Sequence, residues 1–290
     1  MFLSYCIHLA ILITIYIILS VSLNAAVGYT GLVNFGQIGL YGVGAYTSAI
    51  LTMHGVPFGM AFGAAGLAAA LAGVAIVLLT HRLEGEYLAL ATLGLGFVAY
   101  AVFLNWQSLT NGALGIAGIS RPIIFGWQLT TLPEYLFFST AVCVVAVSIV
   151  YFFVHSRFGI ALQALRDDEL YFASLGKNPL FHKIASMFVS AFLAGIAGSL
   201  YAHYISFIDP TSFFLDGLII VFSIIILGGL ASIRGTVAAT FILILLPELL
   251  RFTPISSDIL GPLRQILYAV ILLMVLIWRP RGLWGKIDLR

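Results

Sequence analysis

Residues 133–155 have the sequence PEYLFFSTAVCVVAVSIVYFFVH, and residues 156–183 continue as SRFGIALQALRDDELYFASLGKNPLFHK. The first segment is apolar over a length that can cross a bilayer as a helix, which takes about 20 residues. The second segment is polar, carries charges of both signs and repeats its apolar residues with helical spacing. The pair predicts a chain that crosses a membrane and keeps a structured segment on one side of it.

The rest of the chain has the same character. Its 290 residues are 62% hydrophobic and only 8% charged, and the mean hydropathy is +1.12. A soluble domain has roughly 25% charged residues, so this chain needs the bilayer as its solvent. Backbone in a bilayer must be helical or form a closed barrel, and long continuous apolar runs favour helices. We predict an all-α, polytopic transmembrane helix bundle, a single domain over residues 1–290.

We expect about 8–10 spans of about 20 residues each. The predicted spans lie near 7–27, 32–53, 58–80, 87–107, 133–155, 184–205, 214–231, 236–252 and 263–279. The first apolar run lacks a basic start and a small-residue cleavage pattern, which favours a retained span over a signal peptide.

The second predicted span, 32–53, is unusual in composition. Asn34 and Gln37 lie within it, and five glycines crowd it: Gly31, Gly36, Gly39, Gly42 and Gly44. Such a segment either packs very closely on its neighbours or is a broken helix that lines a cavity. A weak echo relates residues 31–35 (GLVNF) to residues 229–233 (GLASI). Because transporters often contain repeats with interrupted helices at corresponding positions, the echo raises the possibility of an internal repeat.

The positions of Lys and Arg predict the orientation. The stretch 156–183 and the tail from Arg279 onward hold most of the cations, so both should be cytoplasmic by the positive-inside rule. An even number of predicted spans separates them, which makes the two assignments agree. Residues 108–132, with Arg121 as their one cation, should then be outside. The N-terminus should also be outside, unless 32–53 fails to span.

The polar stretch contains a predicted amphipathic helix. Five apolar residues fall on one helical face, namely Phe158, Leu162, Leu165, Phe172 and Leu175. Gly176 supplies a helix C-cap and Pro179 blocks continuation of the helix. We interpret this helix as a docking site for a cytoplasmic partner. The alternative is an interfacial helix that lies on lipid, although the three consecutive acids 167–169 are unusual for one.

Further polar residues lie within predicted spans. Asn34, Gln37, Tyr41 and Thr92 are candidates to line a path for a small polar solute, and helix–helix contacts are the alternative. Glu248 and Arg251 are three residues apart and can form a structural ion pair near the end of their span.

Other classes of function find little support in the sequence. The net charge of +2 gives no nucleic-acid footprint, and Cys6 and Cys143 both lie in apolar stretches that suggest buried thiols. No H-E-x-x-H, G-x-S-x-G or G-x-x-x-x-G-K-[ST] motif occurs, and no pattern predicts a metal or a cofactor. If ATP drives this protein, another chain must bind the nucleotide, and this chain is not an enzyme.

Several motifs then resemble one family in order along almost the whole chain. The N-terminal half contains NAAVGYTGLVNFGQIG (24–39), GAY (44–46), GEYLALATLG (85–94), LTNG (109–112) and Gly115-Ile116. The C-terminal half contains ALRDDE (164–169) with Ala173 and Gly176, then LGGL (227–230) with Ser232 and Gly235, LPE (246–248) and WRPRGL (278–283). Together they resemble the LivM-type permeases of branched-chain amino acid ABC importers.

The resemblance implies a function and a set of partners. It implies an importer in the bacterial inner membrane, built from two permeases, two cytoplasmic ABC ATPase subunits and a periplasmic substrate-binding protein. It implies that the ATPase couples through one short segment, whose residues are Leu165, Arg166, Asp167, Asp168, Glu169, Ala173 and Gly176. The expected solute is a branched-chain or related hydrophobic amino acid. The alternatives are an ABC permease for urea or short amides and a secondary transporter driven by an ion gradient, which would need an intramembrane carboxylate or proton relay.

Overall fold

The computed structural model describes residues 2–83, 85–124, 126–249, 257–278 and 281–285. Within these ranges the helices are α1 Phe2–Asn24, α2 Gln37–Met53, α3 Phe58–Thr80, α4 Gly85–Asn105, α5 Gln107–Thr110, α6 Leu132–His155, α7 Arg157–Asp167, α8 Glu169–Ser174, α9 Pro179–Ile205, α10 Leu215–Gly228, α11 Ile233–Leu249 and α12 Ser257–Trp278. A π-helix, Ala25–Tyr29, extends α1, and short 3-10 turns occupy Gly112–Leu114 and Pro210–Phe213. The strands are β1 Ile116–Ala117, β2 Ile123–Ile124, β3 Trp127–Gln128 and β4 Phe207–Ile208.

Six helical segments in the described part of the chain are long and apolar enough to cross a membrane. They are Leu3–Tyr29, Phe58–Thr80, Gly85–Asn105, Leu132–His155, Pro179–Ile205 and Pro210–Gly228. The helices α2 and α11 have 17 residues each, and α12 contains a shorter apolar stretch, Ile266–Val275. The predicted polytopic helix bundle is therefore confirmed.

The polar segments gather at two ends of the bundle. At the end that contains α7, which we call the α7 end, Arg166 Nη1 donates to the carbonyl of Gly28 at 2.9 Å. The backbone N–H of Leu283 in the C-terminal tail donates to Leu227 at the same end. The opposite end, which we call the loop end, contains the β1–β4 ladder. There His8 forms a 2.6 Å hydrogen bond with the hydroxyl of Tyr204, so the start of α1 and the tail lie at opposite ends.

The chain segment 31–53 joins these two ends but is helical only from Gln37 onward. Gly31, at a φ of +76°, lies against the side chain of Arg166 at the α7 end. Near the far end of α2, Ser48 forms a hydrogen bond of 2.9 Å with His203 Nε2, and His203 Nδ1 donates to Ser120 at the loop end. Glycine tolerates positive φ without steric cost, so Gly31 permits the turn that separates α1 from α2. Of the two alternatives considered for this span, the broken helix is present, with the non-helical part over residues 31–36.

The helix α9 lies at the centre of the bundle and packs on α1, α2 and α3. Small residues let the backbones approach closely, as they commonly do between membrane helices. A Cβ on Gly44 of α2 would collide with the backbone of Gly195, and one on Gly198 would collide with the carbonyl of Tyr41. The glycines of the second predicted span therefore serve both close packing and the broken helix.

Two sequence-based expectations about the polar stretch were wrong. The predicted single amphipathic helix is two helices, α7 and α8, separated at Asp168, whose extended backbone (φ −156°, ψ 106°) cannot belong to a continuous helix. The helix α9 begins at Pro179 rather than at 184. Proline suits the first turn of a helix because its missing N–H has no intrahelical partner there, so Pro179 starts α9 as well as ending the preceding turn.

Candidate functional site

The pair α7–α8 is held in its bent shape by side-chain caps. The hydroxyl of Ser156 accepts a hydrogen bond from the N–H of Gly159 at 3.2 Å, which caps α7. A carboxylate oxygen of Asp168 accepts one from the N–H of Tyr171 at 2.8 Å, which caps α8. Asp168, predicted as a coupling residue, therefore stabilises the start of α8 after the bend, because an N-cap satisfies a backbone donor that the helix leaves free.

The inner face of α7–α8 is apolar and buried. Leu162, Leu165 and Phe172 are almost fully buried, and Phe158 stacks on the ring of His182 at a centroid distance of 4.7 Å. Leu175 was predicted on this face, but it is exposed. It lies after the end of α8 at Ser174, where the helical register of the inner face stops.

The outer face of α7–α8 carries apolar side chains that the described chain does not cover. Leu170 is 84% exposed and Tyr171 is 63% exposed, and Ile160 and Leu175 are exposed as well. The carboxylates of Asp167 and Asp168 lie beside them. We call Ile160, Asp167, Asp168, Leu170, Tyr171 and Leu175 the outer surface. Ala173 is also exposed, and Gly176, exposed with a φ of +75°, ends the segment.

Two of the predicted coupling residues point toward the body of the protein instead. A carboxylate oxygen of Glu169 pairs with the ammonium of Lys183 at 2.7 Å, and the Lys183 side chain is only 8% exposed. Arg166 binds the carbonyl of Gly28 and also pairs with Asp167 at 2.7 Å, with 67% of the Asp167 side chain exposed. The exposed pair adds little, whereas the contacts with Gly28 and Lys183 connect α7–α8 to α1 and α9.

Sequence reasoning missed Gly28 and Lys183 as members of this site. Lys183 lies 14 positions after Glu169, and Gly28 lies 138 positions before Arg166, so neither contact follows from local spacing. One signal for the site was available, because Asn178-Pro179 is the N-cap and first-turn pattern of a new helix. It places Lys183 in the first turns of α9, close to the end of α8.

Asn24 connects the π-helix to the turn between α10 and α11. Its amide oxygen accepts from the N–H of Ala231 at 3.0 Å. Its amide nitrogen lies 3.3 Å from the carbonyl of Gly229, 3.4 Å from that of Ser232 and 2.6 Å from the hydroxyl of Thr236. In this turn Gly229 and Ala231 both have positive φ, so one side chain satisfies backbone groups that no helix pairs.

The turn that Asn24 binds lies within residues 229–233, one of the two segments with similar sequences. The other, residues 31–35, also follows a helix and begins with a glycine at positive φ. Both segments thus interrupt membrane helices at the α7 end, while the internal repeat itself stays a prediction.

The predicted path residues Asn34 and Gln37 form a buried network at the start of α2. Asn34 Nδ2 donates to Gln37 Oε1 at 3.0 Å, and Asn34 Oδ1 accepts from the N–H of Gly36 at 3.0 Å. Gln37 Nε2 donates to Ser22 at 3.0 Å and to Ser190 at 3.3 Å. Neither amide reaches the surface of the chain, so both hold the broken helix between α1 and α9.

The other two predicted path residues, Thr92 and Tyr41, are buried as well. The hydroxyl of Thr92 accepts from the N–H of Phe35 at 3.1 Å and lies 3.3 Å from the carbonyl of Val33, so it pairs the backbone of the break. Tyr41 packs its ring on Phe213 and Tyr201. The structure thus brings Asn34, Gln37 and Thr92 together and leaves Tyr41 further along α2.

The predicted ion pair of Glu248 with Arg251 involves a residue outside the described ranges, because Arg251 is not described. Arg279, Lys286 and Arg290 of the predicted basic tail lie outside them as well. Arg281 is described and lies at the α7 end, since the backbone N–H groups of Leu283 and Trp284 bind the end of α10 there.

Many-spanning helix bundles with broken helices are common among membrane transport proteins. The chain matches, over residues 5–277, the family described as branched-chain amino acid transport system / permease component. It belongs to that family, and the resemblance seen in its sequence motifs is confirmed.

Relatives with assigned names agree with this membership. The chain is 33% identical to the high-affinity branched-chain amino acid transport system permease protein LivM of Escherichia coli (strain K12), over 96% of this chain and 69% of that protein. The LivM protein of Salmonella typhimurium has the same identity and coverage. The LivH permease of Escherichia coli (strain K12) is 26% identical over 93% of this chain and 91% of that protein. No solved structure matches the chain significantly. The protein is therefore a multi-pass inner-membrane permease subunit of a transport system.

Proposed function

We propose that this chain is one of two permeases of an ATP-driven importer that carries branched-chain or related hydrophobic amino acids into the cell. Its relatives include two different permeases, LivM and LivH, and each is similar to this chain over more than nine-tenths of this chain's length. This supports a heteromeric membrane part, in which a second permease related to LivH completes the transporter. Cytoplasmic ABC ATPase subunits and a periplasmic binding protein complete the importer.

The observation that carries the proposal is the outer surface of α7–α8 together with its internal anchors. An exposed apolar patch with acids beside it suits a protein partner better than lipid, because lipid-lying helices present cations on their polar face. The ATPase docks on Leu170, Tyr171 and the neighbouring outer surface. ATP is hydrolysed in that partner, so this chain contributes no catalytic residue.

The anchors supply the route by which docking acts on the membrane part. Displacement of α7–α8 pulls on the π-helix through Arg166 and Gly28, and on α9 through Glu169 and Lys183. Asn24 extends the first connection to the turn between α10 and α11. These elements flank the interrupted start of α2, so closure of the ATPase dimer changes the packing around the break.

Asn34, Gln37, Tyr41 and Thr92 remain our proposed path residues, with a more specific role for three of them. Buried as they are in this conformation, the two amides and Thr92 hold the interrupted helix closed. The solute gains access when the network opens. Among the described residues most buried polar side chains already have hydrogen-bond partners, so selectivity among amino acids, urea and short amides falls largely to the binding protein.

The α7 end faces the cytoplasm in this proposal, and the C-terminal tail with it. The loop end, with the predicted outside loop 108–132, then faces the binding protein. Maleimide labelling of single cysteines in intact cells tests this: a cysteine at Leu114 should react with an impermeant reagent, whereas one at Leu170 should react only after the cells are opened. The opposite pattern would reject the orientation.

Purification and transport assays test the function itself. The tagged chain, extracted in mild detergent, should bring a LivH-like permease and an ABC ATPase with it. Vesicles that contain the assembly and the binding protein should take up labelled leucine when ATP is enclosed on the cytoplasmic side. Uptake that needs no ATP and stops when the ion gradient is removed would favour the secondary transporter instead.

A further inference from the structure

A cavity of about 730 Å³ opens at the α7 end between α6 and α11. Tyr29, the last residue of the π-helix, lies at its inner wall, and Trp284 of the tail lies at its rim. The helix α1 packs on both α6 and α11, so it separates the cavity from the central helix α9. The cavity lies apart from the outer surface of α7–α8, and the proposed function does not use it.

The polar end of the cavity is cationic. Arg234, exposed at the start of α11, has neither an ion pair nor a side-chain hydrogen bond with any residue that the structure describes. His155 Nδ1 donates to the carbonyl of Tyr151 at 2.8 Å, so in the neutral imidazole Nε2 is an acceptor and supplies no donor for an anion. Ser232 adds a hydroxyl, and no acid occurs among the described residues of the lining. A guanidinium and hydroxyl groups are the donors that recognise a phosphate.

The rest of the cavity wall is apolar and extends toward the middle of the bundle. Val237 and Ala238 lie about one turn beyond Arg234 on α11, or about 5 Å. Val147 lies two turns before His155 on α6, or about 12 Å. A ligand that fills this space has an anionic head at the α7 end and an apolar part that points into the membrane. Trp284, which is exposed at the α7 end, is of a residue type enriched at membrane interfaces.

We propose that this cavity binds the phosphate headgroup of an anionic phospholipid, with the first part of an acyl chain against Val147 and Val237. Basic pockets between membrane helices on the cytoplasmic side are a general way of holding such headgroups. The cavity also touches Ala231 and Ser232, which Asn24 binds. A bound lipid therefore stabilises the interrupted turn between α10 and α11.

Lipid retention by the full-length protein tests the site. The purified assembly is delipidated and titrated with phosphatidylglycerol or phosphatidylcholine, and bound lipid is counted by native mass spectrometry. We expect Arg234→Gln to weaken phosphatidylglycerol binding by at least about tenfold, the effect of one charge-assisted hydrogen bond. Arg82→Gln, which alters an exposed arginine at the same end outside the cavity, should bind like the unaltered protein. Ala238→Leu, which narrows the apolar wall without a change of charge, should also weaken binding.

Three results would overturn the proposal. Equal binding of phosphatidylcholine and phosphatidylglycerol would show that the cavity does not select an anionic headgroup. Equal loss of binding in Arg82→Gln would indicate nonspecific attraction. Displacement of the lipid by glycerol 3-phosphate or inorganic phosphate at concentrations near that of the lipid would show that the cavity binds free phosphate rather than a phospholipid. Co-elution of each variant with its partners at the usual volume shows that it has folded.

Discussion

The segment α7–α8 and the segment 31–36 both interrupt helices, and they do so with opposite surroundings. At α7–α8 the backbone is capped by Ser156 and Asp168, and large apolar side chains face outward. At 31–36 the backbone is paired by Asn34 and Thr92, and the polar side chains are buried within the bundle. The outer break can therefore gain or lose a partner without any change in the fold. The inner break cannot change without breaking its own hydrogen bonds.

The largest effect on the free energy of unfolding is expected at α8, where the adjacent residues Tyr171 and Phe172 lie on opposite faces. Phe172 is 1% exposed and packs with Ala161 and Leu165, whereas Tyr171 is 63% exposed. Replacement of Phe172 by Ala should lower the free energy of unfolding by about 3–5 kcal/mol, because it leaves a cavity. Tyr171→Ala should change it by no more than about 0.5 kcal/mol. Denaturation in detergent measures both, and similar effects for the two variants would remove the distinction between the faces.

The second-largest effect is expected at Asn24, the buried amide that connects the π-helix to the turn between α10 and α11. Asn24→Leu keeps the branching at Cγ but leaves the backbone groups of Gly229, Ala231 and Ser232 without their partner. We expect a loss of about 2–4 kcal/mol, since unsatisfied groups in a bilayer retain their full desolvation penalty. The control is Asn105→Leu, because Asn105 is exposed and, within the described part of the chain, its side chain bonds to Ala101 of its own helix. A thermal midpoint for Asn24→Leu that matches the control would contradict the role of Asn24.

The two interrupted segments also differ in how well the sequence predicts their structure. Long apolar runs predict the spans because bilayer thickness sets their length, and the glycines around Asn34 predict either close packing or a broken helix before α2. The bend at Asp168 was missed because the apolar spacing of Phe158, Leu162 and Leu165 continues to Phe172 across the bend. Periodicity reports which face is buried but does not detect a change in helix direction.

Contacts between distant elements were the least predictable part of the site. Arg166 and Glu169 are charged residues on an amphipathic segment, and the usual place for such residues is a solvent-facing surface. Their true partners, Gly28 and Lys183, come from other helices. The direction of both side chains therefore depends on packing that no local pattern encodes.

The third prediction compares the partly buried ion pair of Glu169 with Lys183 and the exposed ion pair of Asp167 with Arg166. Glu169→Gln removes the charge that faces the nearly buried ammonium of Lys183, so we expect a loss of about 1–2 kcal/mol, reduced from the fully buried case because Glu169 is 35% exposed. Asp167→Asn affects only the exposed pair with Arg166 and should cost less than about 0.5 kcal/mol. In reconstituted vesicles Glu169→Gln should also lower the leucine transported per ATP hydrolysed. A normal ratio would place the connection through α9 outside the coupling route.

The smallest effect on folding should accompany a large effect on assembly. Leu170 is 84% exposed on the outer surface, and Leu114 is 85% exposed at the loop end. Replacement of either by Ser should leave the free energy of unfolding within about 0.5 kcal/mol, because neither side chain is packed. Leu170→Ser should nevertheless reduce co-purification of the ATPase by about tenfold, the effect of about 1.4 kcal/mol at a contact buried by the partner. Leu114→Ser should retain the ATPase in full. If both variants kept it, the outer surface would be a face for lipid, and the acids at 167–169 would need another explanation.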